Sequence, residues 1–167
     1  VPATVGGTVA AARNVLSGNP QHGVHVSAAG ASGSVLHGTS IGLDAGGSTG
    51  LGNGQQGVRV SDGATGTTIG GLVPGARNVI SSNGEEGVIF TNSGTTGNIV
   101  IGNYIGTDAA GTAALGNYIG VNFHGTSSGN TAGGTTDEAR NVISGNTYAG
   151  VRLGGSDGNT VQGNYIG

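Results

Sequence analysis

The chain has 167 residues, 39 of them Gly, no Lys, Cys, Met or Trp, and a net charge of -3. Disulfide stapling is therefore excluded. Five Arg against eight acids, with no basic stripe or aromatic stacking set, do not make a phosphate-backbone binder, so no nucleic-acid partner is expected. No apolar run approaches the roughly 18 residues that cross a bilayer, so no membrane is expected either.

The opening "VPATVGG" has neither a basic n-region nor an apolar h-region, and without an initiator Met the chain reads as a processed or excised piece of a longer product. "ARNVLSGN" follows from Ala12 and returns as "ARNVISSN" from Ala76 and "ARNVISGN" from Ala139, 64 and 63 residues apart. Residues 1–167 thus read as one solenoid domain: super-repeats 14–77 and 78–140, a partial one at 141–167, and 1–13 as the end of a preceding repeat.

Shorter units recur inside each super-repeat, about ten residues apart. One is Gly-Val-x-apolar: "GVHV" from Gly23, "GVRV" from Gly57, "GVIF" from Gly87, "GVNF" from Gly120 and "GVRL" from Gly150. The other ends in Gly, as in "SVLHG" from Ser34, "NIVIG" from Asn98 and "NTVQG" from Asn159. Short Val- and Ile-rich runs between Gly, Asn, Ser and Thr are strands between tight turns. Alternation puts Val58 and Val60 on one face and Arg59 on the other, and likewise Val88 and Phe90 against Ile89. Helical spacing is confined to one candidate turn near Thr135. A super-repeat near 63 residues divides into three coils of about 21, too small to fold singly and stable when stacked. The predicted fold class is all-β, a parallel β-helix of about eight coils with little or no helix, making a rod of roughly 35 to 40 Å.

Asn19, Asn83, Asn103, Asn146 and Asn164 each fall five residues after a strand unit begins, and are predicted to form structural ladders from coil to coil. Arg13, Arg77 and Arg140 share one repeat position and read as ladder or turn groups. "GNYIG" occurs from Gly102, from Gly116 and from Gly163, where its tyrosines suit a corner with a wet ring edge.

"RNVISGN", "NTVQGNYIG", "GTDAAGTAALGN" and the Gly-Val-x-Val units resemble the Gly- and Asn-rich right-handed parallel β-helix repeats of large secreted and surface proteins of bacteria, which share the pectin-lyase-like superfold. The resemblance runs from about Ala3 to Gly167. It implies the fold and an extracellular or cell-surface setting, and it implies no catalytic residues, because the matching positions are repeat framework.

An active site must be asymmetric, so the candidates for chemistry lie outside the framework: His22, His25, His37, His124, Arg59, Arg152, Asp62, Glu85, Glu86, Asp137, Glu138 and Asp157. Lyases of the superfold gather acids for calcium and an Arg or Lys base on long loops, and no turn here looks long enough to wall a cleft. Glu85 with Glu86, and Asp137 with Glu138, are neighbours in turns and read as solvated pairs. His22 and His25 supply two metal ligands at most. Asp44 and Asp108 coincide in "IGLDAGG" and "IGTDAAG" and read as turn-bonding groups, with calcium the alternative; otherwise no metal or cofactor is expected. Ser32, Thr65, Thr96 and Ser128 carry an ice-binding alternative.

The two ends look uncapped and equal in angular phase, since joining tail to head skips about 23 residues, close to one 21-residue coil. Val1, Ala3 and Val5 are expected to meet Asn164, Tyr165 and Ile166 of another copy. The function expected is a non-enzymatic structural module that assembles end to end into a fibre or forms a surface stalk, with surface glycans a further partner. A pectin-lyase-like polysaccharide lyase or hydrolase is the alternative, and an ice- or glycan-binding solenoid the third.

Overall fold

Three kinds of short apolar segment follow one another along the chain, and each pairs with its own kind one coil away. The computed structural model describes residues 2–167. The first coil holds β1 (Thr4–Gly6), β2 (Val15–Leu16) and β3 (Val24–Ser27); the second holds β4 (Val35–His37), β5 (Ser40–Ile41) and β6 (Val58–Ser61). The third has β7 (Thr68–Gly70), β8 (Val79–Ile80) and β9 (Glu86–Phe90), and the fourth β10 (Ile99–Ile101), β11 (Tyr104–Ile105) and β12 (Ile119–His124). The fifth has β13 (Thr131–Gly133), β14 (Val142–Ile143) and β15 (Ala149–Gly154), after which β16 (Thr160–Gln162) and β17 (Tyr165–Ile166) begin a sixth.

These strands form three parallel sheets: β1-β4-β7-β10-β13-β16, β2-β5-β8-β11-β14-β17 and β3-β6-β9-β12-β15. The fold is therefore an all-β parallel solenoid, but with about five coils rather than eight. Thr4 pairs with Val35, Val35 with Thr68 and Thr131 with Thr160, so a coil takes about 30 residues. A super-repeat is accordingly two coils, not three of 21. At about 4.8 Å per coil the stack is about 25 Å long, shorter than the rod expected. The equal-phase argument for the two ends fails with the coil length. The described strands fill six places in the first two sheets and five in the third, so a direct head-to-tail join leaves the third sheet one strand short.

The two coils of a super-repeat differ at their corners. Odd coils take the longer path between first and second sheets, through 3-10 turns at Ala10–Ala12 and Pro74–Ala76. At the third such corner the candidate helical turn near Thr135 is a bend and turn, closed by Arg140 N donating to Asp137 O at 3.3 Å. Even coils instead take a long path between second and third sheets, across residues 42–57 and 106–118. Each of these corners projects a small loop, pinned by antiparallel bridges Leu43–Gly50 and Thr107–Ala114. Ala109 N donates to Gly47 O at 2.8 Å, so the loops stack on one another. Turns longer than the sequence suggested are therefore present.

Inside, each sheet contributes a column: Leu36, Ile69, Val100 and Ala132; Ile41, Ile80, Ile105 and Ile143; and Val60, Phe90 and Phe123 beside Val58, Val88 and Val121. Phe90 and Phe123 stack with centroids 5.5 Å apart. The glycine that opens each Gly-Val-x unit is required by close approach. A Cβ on Gly57 would stand 2.6 Å from Ile80 Cγ2 and 2.8 Å from Gly87 O.

Candidate functional site on the outer face of the third sheet

Several of the non-repeating polar residues gather outside the third sheet. Its register sets His25, Arg59, Ile89, Asn122 and Arg152 side by side on successive coils. Ile89 belongs to that outer row, yet it is only 6% exposed and lies outside the core cluster. Nearer the start of the strands, Gly23 N bonds Gln56 O and Gly57 N bonds Glu86 O, which aligns His22, Gln56 and Glu86.

Glu85 and Glu86 are not a merely solvated pair. Gln56 Nε2 donates to Glu85 Oε2 and, at 3.0 Å, to Glu86 Oε2; Asn122 Nδ2 donates to Glu86 Oε1 at 2.9 Å. Two carboxylates thus share one amide nitrogen, and a second amide holds the far oxygen of Glu86. The carbonyl oxygens of those same amides, Gln56 Oε1 and Asn122 Oδ1, are buried without a partner, as is His22 Nδ1. Buried polar atoms are nearly always hydrogen-bonded; His22 and Gln56 lie near enough to act on each other, which leaves Asn122 Oδ1 as the clear exception in the patch.

Beside this cluster, the His22 and His25 rings meet edge to face at 5.2 Å. Both imidazoles are held below their ordinary pKa, His22 by burial and then by His25 and Arg59, with a hydrogen bond to Gln56 opposing, and His25 by burial and then by Arg59, with Asp62 opposing. His25 Nε2 lies 2.8 Å from Ser61 Oγ, and Ser61 Oγ donates to Asp62 Oδ2 at 2.7 Å. Hydrogen bonds from Ser61, Asn92 and Ser27 hold the Asp62 carboxyl down at about 2. With its own proton on Asp62, Ser61 accepts from His25, the reverse of the arrangement in which an imidazole base takes a serine proton. Asp62 also sits at φ +57, in a left-handed column with Ala28, Asn92, Gly125 and Gly155 that turns the chain out of the third sheet.

The asparagines form three ladders. Asn19, Asn53, Asn83, Asn117 and Asn146 make one; Asn78, Asn103, Asn141 and Asn164 a second; Asn98, Asn130 and Asn159 a third. Asn19, Asn83 and Asn146 therefore stand on one corner, Asn103 and Asn164 on another. Sequence reading missed Asn53 and Asn117, each the last residue of an "LGN", and also Asn78, Asn98, Asn130, Asn141 and Asn159. The second "GNYIG" copy serves a different corner from the other two: Tyr104 and Tyr165 lie in the second sheet, whereas Ile119 starts a third-sheet strand.

The Arg77 guanidinium lies 4.1 Å from the Tyr104 ring centroid and that of Arg140 4.4 Å from Tyr165. Arg140 also pairs with Asp137 at 2.8 Å. Arg13 is exposed, and in the coil above it Ser40 takes the place of the tyrosine. Asp44 and Asp108 cap their own loops, each Oδ1 accepting two backbone N–H bonds of 2.7 to 3.1 Å that lower the carboxyl pKa. Glu138, His124 and Asp157 are exposed and His37 half-buried, and Arg152, also exposed, stands in register beside Asn122. Thr65 bonds Ser32, and Thr96 pairs with Ser128, along the corner that leads into the first sheet. Among the expected interface residues, Ala3, Tyr165 and Ile166 are exposed and Val5 and Asn164 half-buried, while Val1 lies outside the described residues. Among the described residues no three His, Asp or Glu side chains gather as metal ligands.

Comparison with known protein families, with curated proteins and with solved structures finds no match for this chain.

Proposed function

We propose that this chain is a non-enzymatic structural module, extracellular or at a cell surface, on which further coils stack head to tail to make a fibre or stalk. The observation that supports this reading is the polarity of the ladders. In each rung the backbone and side-chain nitrogens of one asparagine donate to the Oδ1 of the next, as Asn83 does to Asn117 at 3.0 and 2.9 Å. Every ladder therefore offers donors at one face and acceptors at the other. Asn159 Nδ2, in the last coil, is buried without an acceptor. Such polarity favours a heterologous contact that propagates rather than closes.

Sedimentation and electron microscopy over a concentration series test it. Particles that lengthen with concentration while keeping one width are expected; a strictly monomeric particle at millimolar concentration overturns the reading.

A further inference from the structure

We propose that Tyr118 and Tyr148 form an oxidative cross-linking site, at which the two rings couple to dityrosine and tie the fourth coil to the fifth. The rings stack with centroids 5.0 Å apart and planes 20° from parallel. Register holds them together, because Tyr148 N donates to Tyr118 O at 2.8 Å. Each stands two residues before the Gly of its Gly-Val-x unit, a position filled by Gln21, Gln55 and Glu85 in the first three coils, so the pair is no part of the repeat framework. Tyr118 is 49% exposed and Tyr148 62%, so an oxidant reaches both and the rings are free to swing edge to edge. With no Cys or Lys, the chain has neither a disulfide nor a lysine cross-link to tie its coils, and the tyrosine pair supplies one.

The other two tyrosines are placed differently. Tyr104 and Tyr165 pair with Val142 from opposite sides, which keeps them two coils apart. Each has a guanidinium over its ring, Arg77 at 4.1 Å and Arg140 at 4.4 Å. The co-reactant for the coupling is hydrogen peroxide acting through a haem peroxidase. Each phenol gives up one electron and its hydroxyl proton. The two phenoxyl radicals join by one carbon–carbon bond between ring positions ortho to the hydroxyls, and the hydrogen on each joined carbon returns to its own oxygen. Peroxide takes up the two electrons and two protons and leaves as two waters, and the chain loses two hydrogens. Rings already in contact couple far faster than rings that must meet by diffusion. Closing a loop of about 30 residues restrains the unfolded chain as a disulfide of that span would. Both rings belong to one chain, so the proposal does not rest on head-to-tail stacking.

Incubating the intact chain with peroxidase and hydrogen peroxide over a wide range of protein concentration tests it. A single dityrosine is expected, seen by its blue emission and by the mass of one chain less two hydrogens, in a yield independent of concentration. Trypsin, which cuts after Arg77, Arg140 and Arg152, should then leave residues 78–140 joined to 141–152. Tyr118→Phe and Tyr148→Phe keep the stacked rings but remove a phenol, and each should lose the product; Tyr104→Phe and Tyr165→Phe should keep it. The coupled chain should melt about 5 to 10 °C higher than the untreated one. No dityrosine in the wild type, dityrosine only between chains, or an equal yield in Tyr118→Phe overturns the proposal.

Discussion

Replacing Asn103 by Ala asks what one rung of a ladder is worth. Asn103 is fully buried, and its Oδ1 accepts from Asn78 N at 3.1 Å and Asn78 Nδ2 at 3.0 Å. Its Nδ2 donates to Ile69 O, Ile101 O and Asn141 Oδ1. Truncation leaves the Asn78 N–H and one Asn78 amide hydrogen without acceptors in a site closed to water. Each stranded donor costs about 1 to 3 kcal/mol, so the two together should cost about 2 to 6 kcal/mol, or about 4 to 24 °C in melting temperature for a chain of this size. Asn103→Asp keeps the acceptor, but turns its second oxygen toward three other oxygens, so it should be no milder at neutral pH and should recover in acid. Asn164 plays the same part for Asn141 in the last coil, but is half-buried, so water can replace it and Asn164→Ala should cost about 1 kcal/mol. Urea unfolding of the three variants, with the slope held constant, measures the difference. Equal costs at Asn103 and Asn164, or a loss below about 1 kcal/mol at Asn103, would refute the reasoning that desolvated rungs carry the stability.

Further outcomes follow from the same geometry. Gly57→Ala should destabilise by at least about 1 to 3 kcal/mol, because its Cβ meets Ile80, Asn83 and the Gly87 carbonyl below 3 Å; Gly30→Ala, with nothing within 4 Å, should be neutral or stabilising by up to about 1 kcal/mol in the same melts. Phe123→Ala removes a fully buried ring stacked on Phe90 and should cost about 3 to 5 kcal/mol in urea unfolding. His22 and His25 are held below 6.5 in the folded chain, so the unfolded chain binds more protons as pH falls from neutrality and stability should drop through that window. A second loss should begin below pH 4, where unfolded carboxylates protonate while Asp62 stays ionised to about 2. A pH series of melting temperatures checks both, and Asp62→Asn should flatten the acid limb; a melting temperature that rises from pH 7.5 to 5.5 would contradict the signs.

The strands and their inner faces were legible because a strand's pattern is local. Val58, Val60, Val88 and Phe90 point inward by simple alternation, and the five Gly-Val-x units correspond one to one with the strands of the third sheet. Coil size was legible too, in the spacing of about 30 residues between like units, but the reading into 21-residue coils went astray. It counted two strand kinds where three share a coil, and it did not allow for corners of unequal length, such as residues 42–57. Corner length has no periodicity to detect, since a loop like that of Asp44 is held by its own carboxylate rather than by the stack.

What the sequence alone determined is the repeat, the strand chemistry and the stacked, parallel character of the fold, because units too small to bury their own apolar face are stable only against neighbours. What only the tertiary structure decided is which residues from different coils meet. Gln56 and Glu86 each stand just before the Gly of a Gly-Val-x unit and Asn122 is the x residue of another, yet that their side chains lie within hydrogen-bonding distance emerges only once three coils are stacked. The two carboxylates were visible as a dipeptide; that they share an amide, and that the oxygen of that amide is buried without a donor, depends on register between coils, which local spacing does not encode.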